Sequence, residues 1–291
     1  MEAKKILGAM FLNFLMALLE VIGGIFSGSL ALISDALHNV NDFFALLISY
    51  LAEIISKNKK SNLQHTFGFR RIEILSALLN GVLLLGVFLF LIVEAFHRIK
   101  SPKEVEGIQT VIIGVIGLVG NILGALLLHE DSHHNLNVKG AFLHLISDAI
   151  SSVGVIIGAL FIIFYKLYIA DTIISLLIAG FILYGSIDLI KETLHILMEG
   201  TPREVDINEI QKLICKIPGV KDIHHIHVWQ VSTKDYLLSA HVVVEDQKVS
   251  EAEKIVSQIK DVLREKFHIS HSTLEIESET YLKDKECQCE Y

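Results

Sequence analysis

The stretch Ile74-Leu-Ser-Ala-Leu-Leu-Asn-Gly-Val-Leu-Leu-Leu-Gly-Val-Phe-Leu-Phe-Leu-Ile-Val93 runs for 20 residues without a charged side chain. A transmembrane helix needs about 20 mostly apolar residues to cross a hydrocarbon core that is roughly 30 Å thick. Six segments of the chain have this length and character, over residues 6–26, 30–55, 72–97, 108–128, 140–165 and 169–190. The sequence therefore predicts a polytopic α-helical membrane domain of six transmembrane helices.

The distribution of charge separates this membrane domain from the rest of the chain. Of 291 residues, 52% are hydrophobic and 20% are charged, and the mean hydropathy is +0.53. Residues 1–191 contain 27 of the 58 Asp, Glu, Lys and Arg residues, and residues 192–291 contain the other 31. This pattern excludes an all-soluble, a disordered and a fibrous protein. The net charge of −8 disfavours nucleic acid as a partner.

The charged third of the chain has the pattern of a small α/β domain. Helical periodicity over 205–215 and 250–267, with Ser250 as the N-cap, alternates with strand patterns over 223–231, 236–244 and 272–277. The order α-β-β-α-β predicts a cytosolic ferredoxin-like domain. We therefore divide the chain into a membrane domain (1–200), a ferredoxin-like domain (201–284) and a polar tail with a Cys-x-Cys sequence (285–291).

The basic residues orient the predicted spans. An even number of spans places both termini on the same side of the membrane. With the termini inside, the inner segments carry ten Lys and Arg residues and the outer loops carry four. Because inner loops are enriched in Lys and Arg, this count predicts cytoplasmic termini.

Two of the predicted spans contain the same pair of ionisable residues. His38 and Asp42 lie in the second span, and His144 and Asp148 lie in the fifth. A spacing of four residues puts both side chains on one helix face. Two imidazoles and two carboxylates are ligands that a tetrahedral Zn²⁺ site takes. The alternative is that buried His–Asp hydrogen bonds only tie two helices together.

Three further acidic residues lie within the apolar segments. An ionisable group at the bilayer centre costs about 2.5–3.5 kcal/mol on insertion scales, so each is a candidate for function. Asp35 lies one turn before His38, Glu20 lies in the first span and Asp188 lies near the end of the sixth. A role in lining the pathway, in helix packing or in binding metal remains open for each.

Four stretches resemble the cation diffusion facilitator family, closest to its zinc, cobalt and cadmium efflux branch and the eukaryotic zinc transporters. They are Gly28-Ser-Leu-Ala-Leu-Ile-Ser-Asp-Ala-Leu-His-Asn-Val-Asn-Asp42, His65-Thr-Phe-Gly-Phe-Arg-Arg-Ile-Glu73, Asn137-Val-Lys-Gly-Ala-Phe-Leu-His-Leu-Ile-Ser-Asp148 and Ile226-His-Val-Trp229. The resemblance implies that His38, Asp42, His144 and Asp148 form the transport site. It also implies a homodimer that exports divalent metal against proton entry, here across a bacterial inner membrane.

The resemblance further implies a regulatory metal site in the soluble domain. The family pattern maps a cytosolic site onto His224, His241, His271 and Glu277. Sheet-face histidines that hydrogen-bond at a dimer interface are the alternative. Strand alternation places His225 and His227 on one face and His224 on the other. In the tail, Cys287 and Cys289 are either a second metal centre or two exposed thiols.

The loops carry two weaker histidine features. His65 lies between spans two and three, and Phe69 stands where some relatives have a second histidine, so we expect no strong metal site there. His129, His133 and His134 lie between spans four and five beside acidic residues. They either collect metal at the cytoplasmic mouth or form a solvated polar loop.

The predicted function is proton-coupled export of Zn²⁺, with Co²⁺ and Cd²⁺ as alternative substrates. Protons and metal compete for a neutral imidazole, and an unperturbed histidine titrates near pH 6.5. Two other interpretations remain. A membrane metalloenzyme would need an open coordination position and a general base, typically in a motif such as His-Glu-x-x-His. That spacing occurs in the loop between spans four and five, as His129-Glu-Asp-Ser-His133, whereas the four paired residues of spans two and five suit carriage better than catalysis. A metal sensor without transport would use only the soluble domain.

Overall fold

A computed structural model describes residues 2–58, 61–132, 136–232 and 235–278. Six long helices come first in the chain: α1 (Glu2–Ser27), α2 (Leu30–Asn58), α3 (Ile72–Lys100), α4 (Gly107–Ser132), α5 (Leu136–Tyr165) and α6 (Ile169–Leu197). A short helix and a small sheet domain follow, as α7 (Ile207–Ile214), β1 (Val220–Gln230), β2 (Tyr236–Val244), α8 (Val249–Phe267) and β3 (Ile269–Ser278).

The chain divides into two compact units. The first comprises residues 1–51 and 76–190, and the second comprises residues 52–75 and 191–291. The second unit therefore includes the end of α2 and the loop that precedes α3, a segment that the sequence analysis had placed within residues 1–200.

Four helices of the described chain are long and apolar enough to cross a membrane. They cover Ile72–Lys100, Gly107–His129, Val138–Tyr165 and Ile169–Leu197. Helix α2 has a similar length but carries Asp35, His38 and Asp42 among its apolar residues. The prediction of a helical membrane domain followed by a small sheet domain is confirmed at this level.

Helix α4 packs closely against α1 and α5, which places three helices of the first unit in direct contact. The α1–α4 contact depends on glycine. A Cβ added at Gly120 would lie 2.9 Å from Met16, and one added at Gly23 would lie 2.1 Å from Ile113. Small residues let helix backbones approach each other, which is a common way to pack helices in membranes.

Helices α3 and α6 form a second apolar contact with the start of α2. Leu84 and Leu91 of α3 pack with Ala179 and Ile182 of α6 and with Leu30 of α2. Large apolar residues remain exposed along the opposite faces of both helices, among them Phe96 and Phe181. Such apolar outer faces are expected for helices surrounded by lipid tails.

A buried carboxylate fixes the start of α2. Asp171 of α6 accepts hydrogen bonds from Ser29 Oγ at 2.5 Å, from the Leu30 backbone N–H at 2.6 Å and from the Ala31 backbone N–H at 3.4 Å. The first N–H groups of a helix have no partner within the helix, and the helix dipole favours negative charge there. Asp171 thus caps α2 from another helix, with the Arg98 guanidinium at 3.5 Å from its carboxylate.

The sheet of the second unit has the order β1-β2-β3. Strand β2 pairs antiparallel with β1 and parallel with β3, and α8 connects the parallel pair. The core contains Ile223, Leu238, Val242, Ile259 and Leu263, which are all fully buried. The predicted order α-β-β-α-β is present in the described residues.

The structure corrects three element boundaries. Strand β1 covers Val220–Gln230 rather than 223–231, and β3 covers Ile269–Ser278 rather than 272–277. The prediction that Ser250 caps α8 is wrong: the N-cap is Lys248, whose side chain makes no capping hydrogen bond. Backbone pairing and packing set these ends, whereas the prediction used side-chain patterns alone.

Candidate metal sites

Helices α2 and α5 bring the two His-x-x-x-Asp pairs together. Asp42 Oδ2 lies 3.5 Å from His38 Nε2 on its own helix and 3.5 Å from His144 Nε2 on α5. His144 Nε2 in turn lies 3.5 Å from Asp148 Oδ2. The four side chains thus form a continuous series of three nitrogen–oxygen contacts across the α2–α5 boundary.

These distances suit a tetrahedral metal ion. With metal–ligand bonds of about 2.0–2.1 Å, the ligand atoms of a tetrahedral Zn²⁺ site lie roughly 3.3–3.4 Å apart. The three observed separations of 3.5 Å are close to that spacing. A tetrahedral site has six separations between its ligand atoms, and these are three of them.

The site is enclosed on one side and open on the other. The Asp148 side chain is 2% exposed, whereas those of Asp42 and His144 are 19% and 36% exposed. Asn13 of α1 donates a hydrogen bond of 3.5 Å from Nδ2 to Asp148 Oδ2. Asn13 therefore orients the buried carboxylate, a contact that the sequence analysis did not predict.

The other acidic residues of the apolar segments differ in their surroundings. Glu20 and Asp35 are both 1% exposed and lie within the first unit, where Asp35 Oδ2 accepts a hydrogen bond from Ser152 Oγ at 3.3 Å. Asp188 is exposed on α6. Glu20 and Asp35 therefore differ from Asp188 in being shielded from the surroundings of the helices.

A second group of ligands lies on one face of the sheet in the second unit. Strand pairing places His224 opposite His241, and His241 opposite Glu275. His241 Nδ1 lies 2.9 Å from Glu277 Oε1, and His224 Nε2 lies 3.3 Å from Glu277 Oε2. Two sets of three ligand atoms lie within 4.8 Å of one another, His224/His225/His241 and His241/Glu275/Glu277.

The position of His225 differs from the prediction. Strict alternation placed His225 on the face opposite His224, but the β1–β2 pairing is irregular between His224 and His227, and His225 has a φ of 50°. This bulge brings the His225 ring to 5.0 Å from that of His224 and 4.9 Å from that of His241. The prediction that these neighbours face opposite ways is wrong.

One sequence signal indicates this bulge. The apolar residues Ile223, Ile226 and Val228 are spaced by three and then by two residues, and an extra residue in a strand produces that break in alternation. The sequence analysis also did not select Glu275 as a candidate ligand. Glu275 lies beside His241 only because β2 and β3 pair in parallel, which the sequence pattern does not show.

The structure does not bring His271 into this cluster. His271 lies four residues before Glu275 on β3, about 13 Å away along a strand that rises about 3.3 Å per residue. It pairs with Leu237, and its ring lies 6.3 Å from that of Phe67. His271 lies on the same strand as Glu275 and Glu277, but the rise along that strand separates it from His224 and His241.

Of the other histidines and cysteines that the sequence analysis named, the structure describes only some. His65 stacks on Phe69, with ring centroids 4.5 Å apart, and His129 lies 5.6 Å from the ring of Phe142. Cys287, Cys289, His133 and His134 lie outside the described residues.

The thiol of Cys215 is poorly suited to bind metal at neutral pH. Partial burial, followed by the nearby Asp222 carboxylate, raises the pKa of this thiol above its ordinary value. Since the thiolate is the form that binds metal, an ion bound at Cys215 would have to displace this proton.

Two families match successive parts of the chain. Residues 6–198 match the cation efflux transmembrane domain, and residues 202–279 match the cytoplasmic domain of cation efflux proteins. The chain belongs to the cation efflux family. The predicted resemblance is thereby confirmed, and membership in a family of cation efflux proteins excludes the metalloenzyme interpretation.

Relatives in this family cover almost the whole chain. A cadmium, cobalt and zinc/H⁺-K⁺ antiporter of Bacillus subtilis is 38% identical over 94% of this chain and 88% of its own length. The zinc transporter ZitB of Escherichia coli is 38% identical over 95% of this chain and 88% of its own length. A solved structure of the metal-bound C-terminal domain of the CzcD transporter from Cupriavidus metallidurans is 36% identical, covers 25% of this chain and 99% of that chain, and has a TM-score of 0.23.

Proposed function

We propose that this protein exports Zn²⁺ in exchange for protons, with His38, Asp42, His144 and Asp148 as the transport site. The observation that carries the proposal is the series of three nitrogen–oxygen contacts of 3.5 Å that joins two imidazoles and two carboxylates inside an apolar helical unit. Co²⁺ and Cd²⁺ accept similar ligands and are alternative substrates. The family membership and the names of the relatives, a zinc transporter and a cadmium, cobalt and zinc antiporter, support this substrate class.

Competition between metal and protons couples the two fluxes at this site. Zn²⁺ binds the neutral imidazole, so protonation of His38 or His144 weakens metal binding. The site would load from the cytoplasm with neutral imidazoles, open to the outside, take up protons and release the ion. The name of the Bacillus subtilis antiporter, which includes H⁺ and K⁺ as exchanged ions, supports coupling to a monovalent cation.

The proposed assembly is a homodimer in the bacterial inner membrane with six spans per subunit. In this arrangement α1 and α2 cross the membrane in addition to the four strongly apolar helices, and both termini are cytoplasmic. The match of residues 202–279 to the cytoplasmic domain of cation efflux proteins supports the placement of the ferredoxin-like domain on that side.

A transport assay tests the proposal. The full-length protein is reconstituted into proteoliposomes with a Zn²⁺-sensitive dye inside, and an outward proton gradient, with the acidic side inside, is imposed across the membrane. We expect the gradient to drive Zn²⁺ uptake, and dissipation of the gradient with a protonophore to stop net uptake. Zn²⁺ flux that is the same with and without the gradient would contradict proton coupling, and absence of flux would favour a metal sensor.

The ligand cluster of the second unit supports a regulatory role for metal. The imidazole and carboxylate groups of this cluster come from His224, His225, His241, Glu275 and Glu277, and none of these residues belongs to the apolar unit. Metal bound there would hold the soluble domain of the dimer in one arrangement and favour transport. Relative to the sequence prediction, this set includes His225 and Glu275 and leaves out His271.

Replacement of His241 tests this regulatory site. His241 belongs to both ligand sets, so we expect His241→Ala to lower the Zn²⁺ affinity of the soluble-domain site by more than the roughly 10–100-fold typical for a residue that only supports a ligand. Zn²⁺ titration of the purified full-length protein by calorimetry measures this. His271→Ala is the matched control, since His271 lies outside the cluster. Equal losses in both variants would contradict the proposed ligand set.

A further inference from the structure

Glu20 and Asp35 form a buried acidic pair that the metal site does not use. Each residue is 1% exposed, Glu20 on α1 and Asp35 on α2. Glu20 Oε2 accepts a hydrogen bond of 3.4 Å from Asn39 Nδ2, and Asp35 Oδ2 accepts one of 3.3 Å from Ser152 Oγ. Asn39 is one helical turn after Asp35, so both acidic groups approach the same face of α2.

The surrounding helices enclose this pair tightly. A Cβ added at Gly117 of α4 would lie 2.1 Å from Glu20 Oε1 and 3.7 Å from Ser152 Oγ. The Glu20 carboxyl group therefore lies directly against the backbone of α4, between α1, α2 and α5. Space of this kind suits a bare proton on a carboxyl oxygen better than a hydrated ion.

Most of the unpaired buried atoms around the pair are acceptor oxygens, and His38 Nδ1, one turn from Asp35, is unpaired as well. Among the described residues, the buried oxygens Glu20 Oε1, Asp35 Oδ1, Asn39 Oδ1 and Asn121 Oδ1 have no hydrogen-bond donor. Asn121 lies one turn after Gly117 on α4, on the helix face that meets Glu20. Buried acceptors without donors are costly, and protonation of one carboxyl group supplies a donor.

The titratable groups near the pair are one imidazole and one further carboxyl group. The titratable groups that act on Glu20 and Asp35 are Asp148 of α5, which is acidic, and His38 of α2. From α4, the facing residues Gly117 and Asn121 are uncharged. Glu20, Asp35 and Asp148 are three buried carboxyl groups with His38 as the nearby imidazole, and repulsion between the ionised forms favours a state with a bound proton.

We propose that Glu20 and Asp35 form a second proton-binding site, which carries one counter-transported proton in addition to those that compete with the metal ion at His38 and His144. The proposal rests on the proposed function of proton-coupled export. A proton from the outer solution binds a carboxyl oxygen of the pair after the metal ion leaves. When the next ion, with its charge of +2, binds at His38 and its partners, repulsion expels that proton to the cytoplasmic solution. No bond other than the carboxyl O–H forms or breaks.

Charge-neutral variants test this site in the full-length protein in proteoliposomes. Glu20→Gln and Asp35→Asn keep the shape of each side chain but cannot bind the transported proton. We expect both variants to retain exchange of isotopic Zn²⁺ across the membrane without a gradient and to move fewer protons per Zn²⁺ than the wild type during uptake driven by a proton gradient. Asp188→Asn, which changes an exposed carboxylate of α6, is the control and should keep both activities.

The possible outcomes separate this proposal from the proposed function. A ratio of protons to Zn²⁺ that is unchanged in Glu20→Gln and Asp35→Asn would overturn the second proton site and leave the exporter intact. If a potassium gradient drives uptake in the wild type and these variants lose only that response, the pair binds K⁺ and the proposal is wrong. If the wild type shows no response to a proton gradient, the proposed coupling fails together with this site.

A measurement on the wild type covers the case in which the variants do not fold. Infrared difference spectra recorded with and without saturating Zn²⁺ report the C=O stretch of a protonated carboxylic acid. We expect this band to be present without Zn²⁺ and to disappear when Zn²⁺ binds. A spectrum without such a change would overturn the proposal, as would a change that persists unaltered in a folded Glu20→Gln variant.

Discussion

Replacing Asp148 with alanine is expected to abolish Zn²⁺ transport. Its Oδ2 lies 3.5 Å from His144 Nε2 at the enclosed end of the proposed site, and its side chain is 2% exposed. We expect Zn²⁺ flux at a fixed ion concentration to fall by about 100-fold or more, because even residues that only support a ligand contribute roughly 10–100-fold to metal affinity. Dye-based flux in proteoliposomes measures the effect.

The matched control for this experiment is Asp188→Ala. Asp188 is an exposed carboxylate on α6, so its removal changes the charge of the protein equally without touching the site. Size-exclusion profiles of both variants check that they remain folded. If Zn²⁺ flux in Asp148→Ala equals that in Asp188→Ala, Asp148 is not a ligand. The His–Asp pairs would then serve only to hold the two helices together.

Replacing Asp171 with alanine is expected to destabilise the membrane domain strongly. The Asp171 carboxylate accepts hydrogen bonds from Ser29 Oγ and from the backbone N–H groups of Leu30 and Ala31, and it lies 3.5 Å from the Arg98 guanidinium. Removal of this carboxylate leaves three buried donors without their acceptor at once, and each such donor costs about 1–3 kcal/mol. Arg98 keeps its ion pair with Glu94 at 3.1 Å, so the lost hydrogen bonds account for most of the expected effect. Equilibrium unfolding in mixed detergent micelles, with increasing dodecyl sulfate, measures the free energy of unfolding.

Two variants separate capping from charge in this experiment. Ser29→Ala removes one donor and leaves the carboxylate in place, so we expect a smaller loss of about 0.5–2 kcal/mol, as for other helix-cap residues. Asp188→Ala should leave the free energy of unfolding nearly unchanged. A loss in Asp171→Ala no greater than that in Asp188→Ala would show that the Asp171 contacts do not stabilise the start of α2.

Local sequence was sufficient for the helices of the membrane domain and for the residues of the proposed transport site. Runs of about 20 apolar residues predict spans because every backbone polar group must be satisfied within a helix in lipid. The His-x-x-x-Asp spacing places His38 with Asp42, and His144 with Asp148, on one face of each helix. The structure brings these two faces together, with Asp42 between the two imidazoles.

The ligand cluster of the second unit depends on strand pairing and on a bulge, which the sequence pattern indicates only weakly. The bulge in β1 turns His225 toward His224 and His241, and the parallel pairing of β2 with β3 brings Glu275 to His241. His271, taken from the family pattern, lies about 13 Å from Glu275 along the same strand. Pairing between strands distant in the chain set these positions, and strict alternation misjudged His225.

The sequence by itself determined that this chain is a helical membrane domain followed by a small α/β domain, and it predicted four candidate metal ligands in the apolar part. Helix length and periodicity are local properties, so they can be read without a partner element. Only the tertiary structure decided the contacts of the isolated acidic residues. In the folded protein Glu20 and Asp35 are buried near Gly117, Asp171 caps α2, and Asp188 is exposed. Burial and hydrogen-bonding partners come from helices that are far apart in sequence, and these decide what a carboxylate in a membrane helix can do.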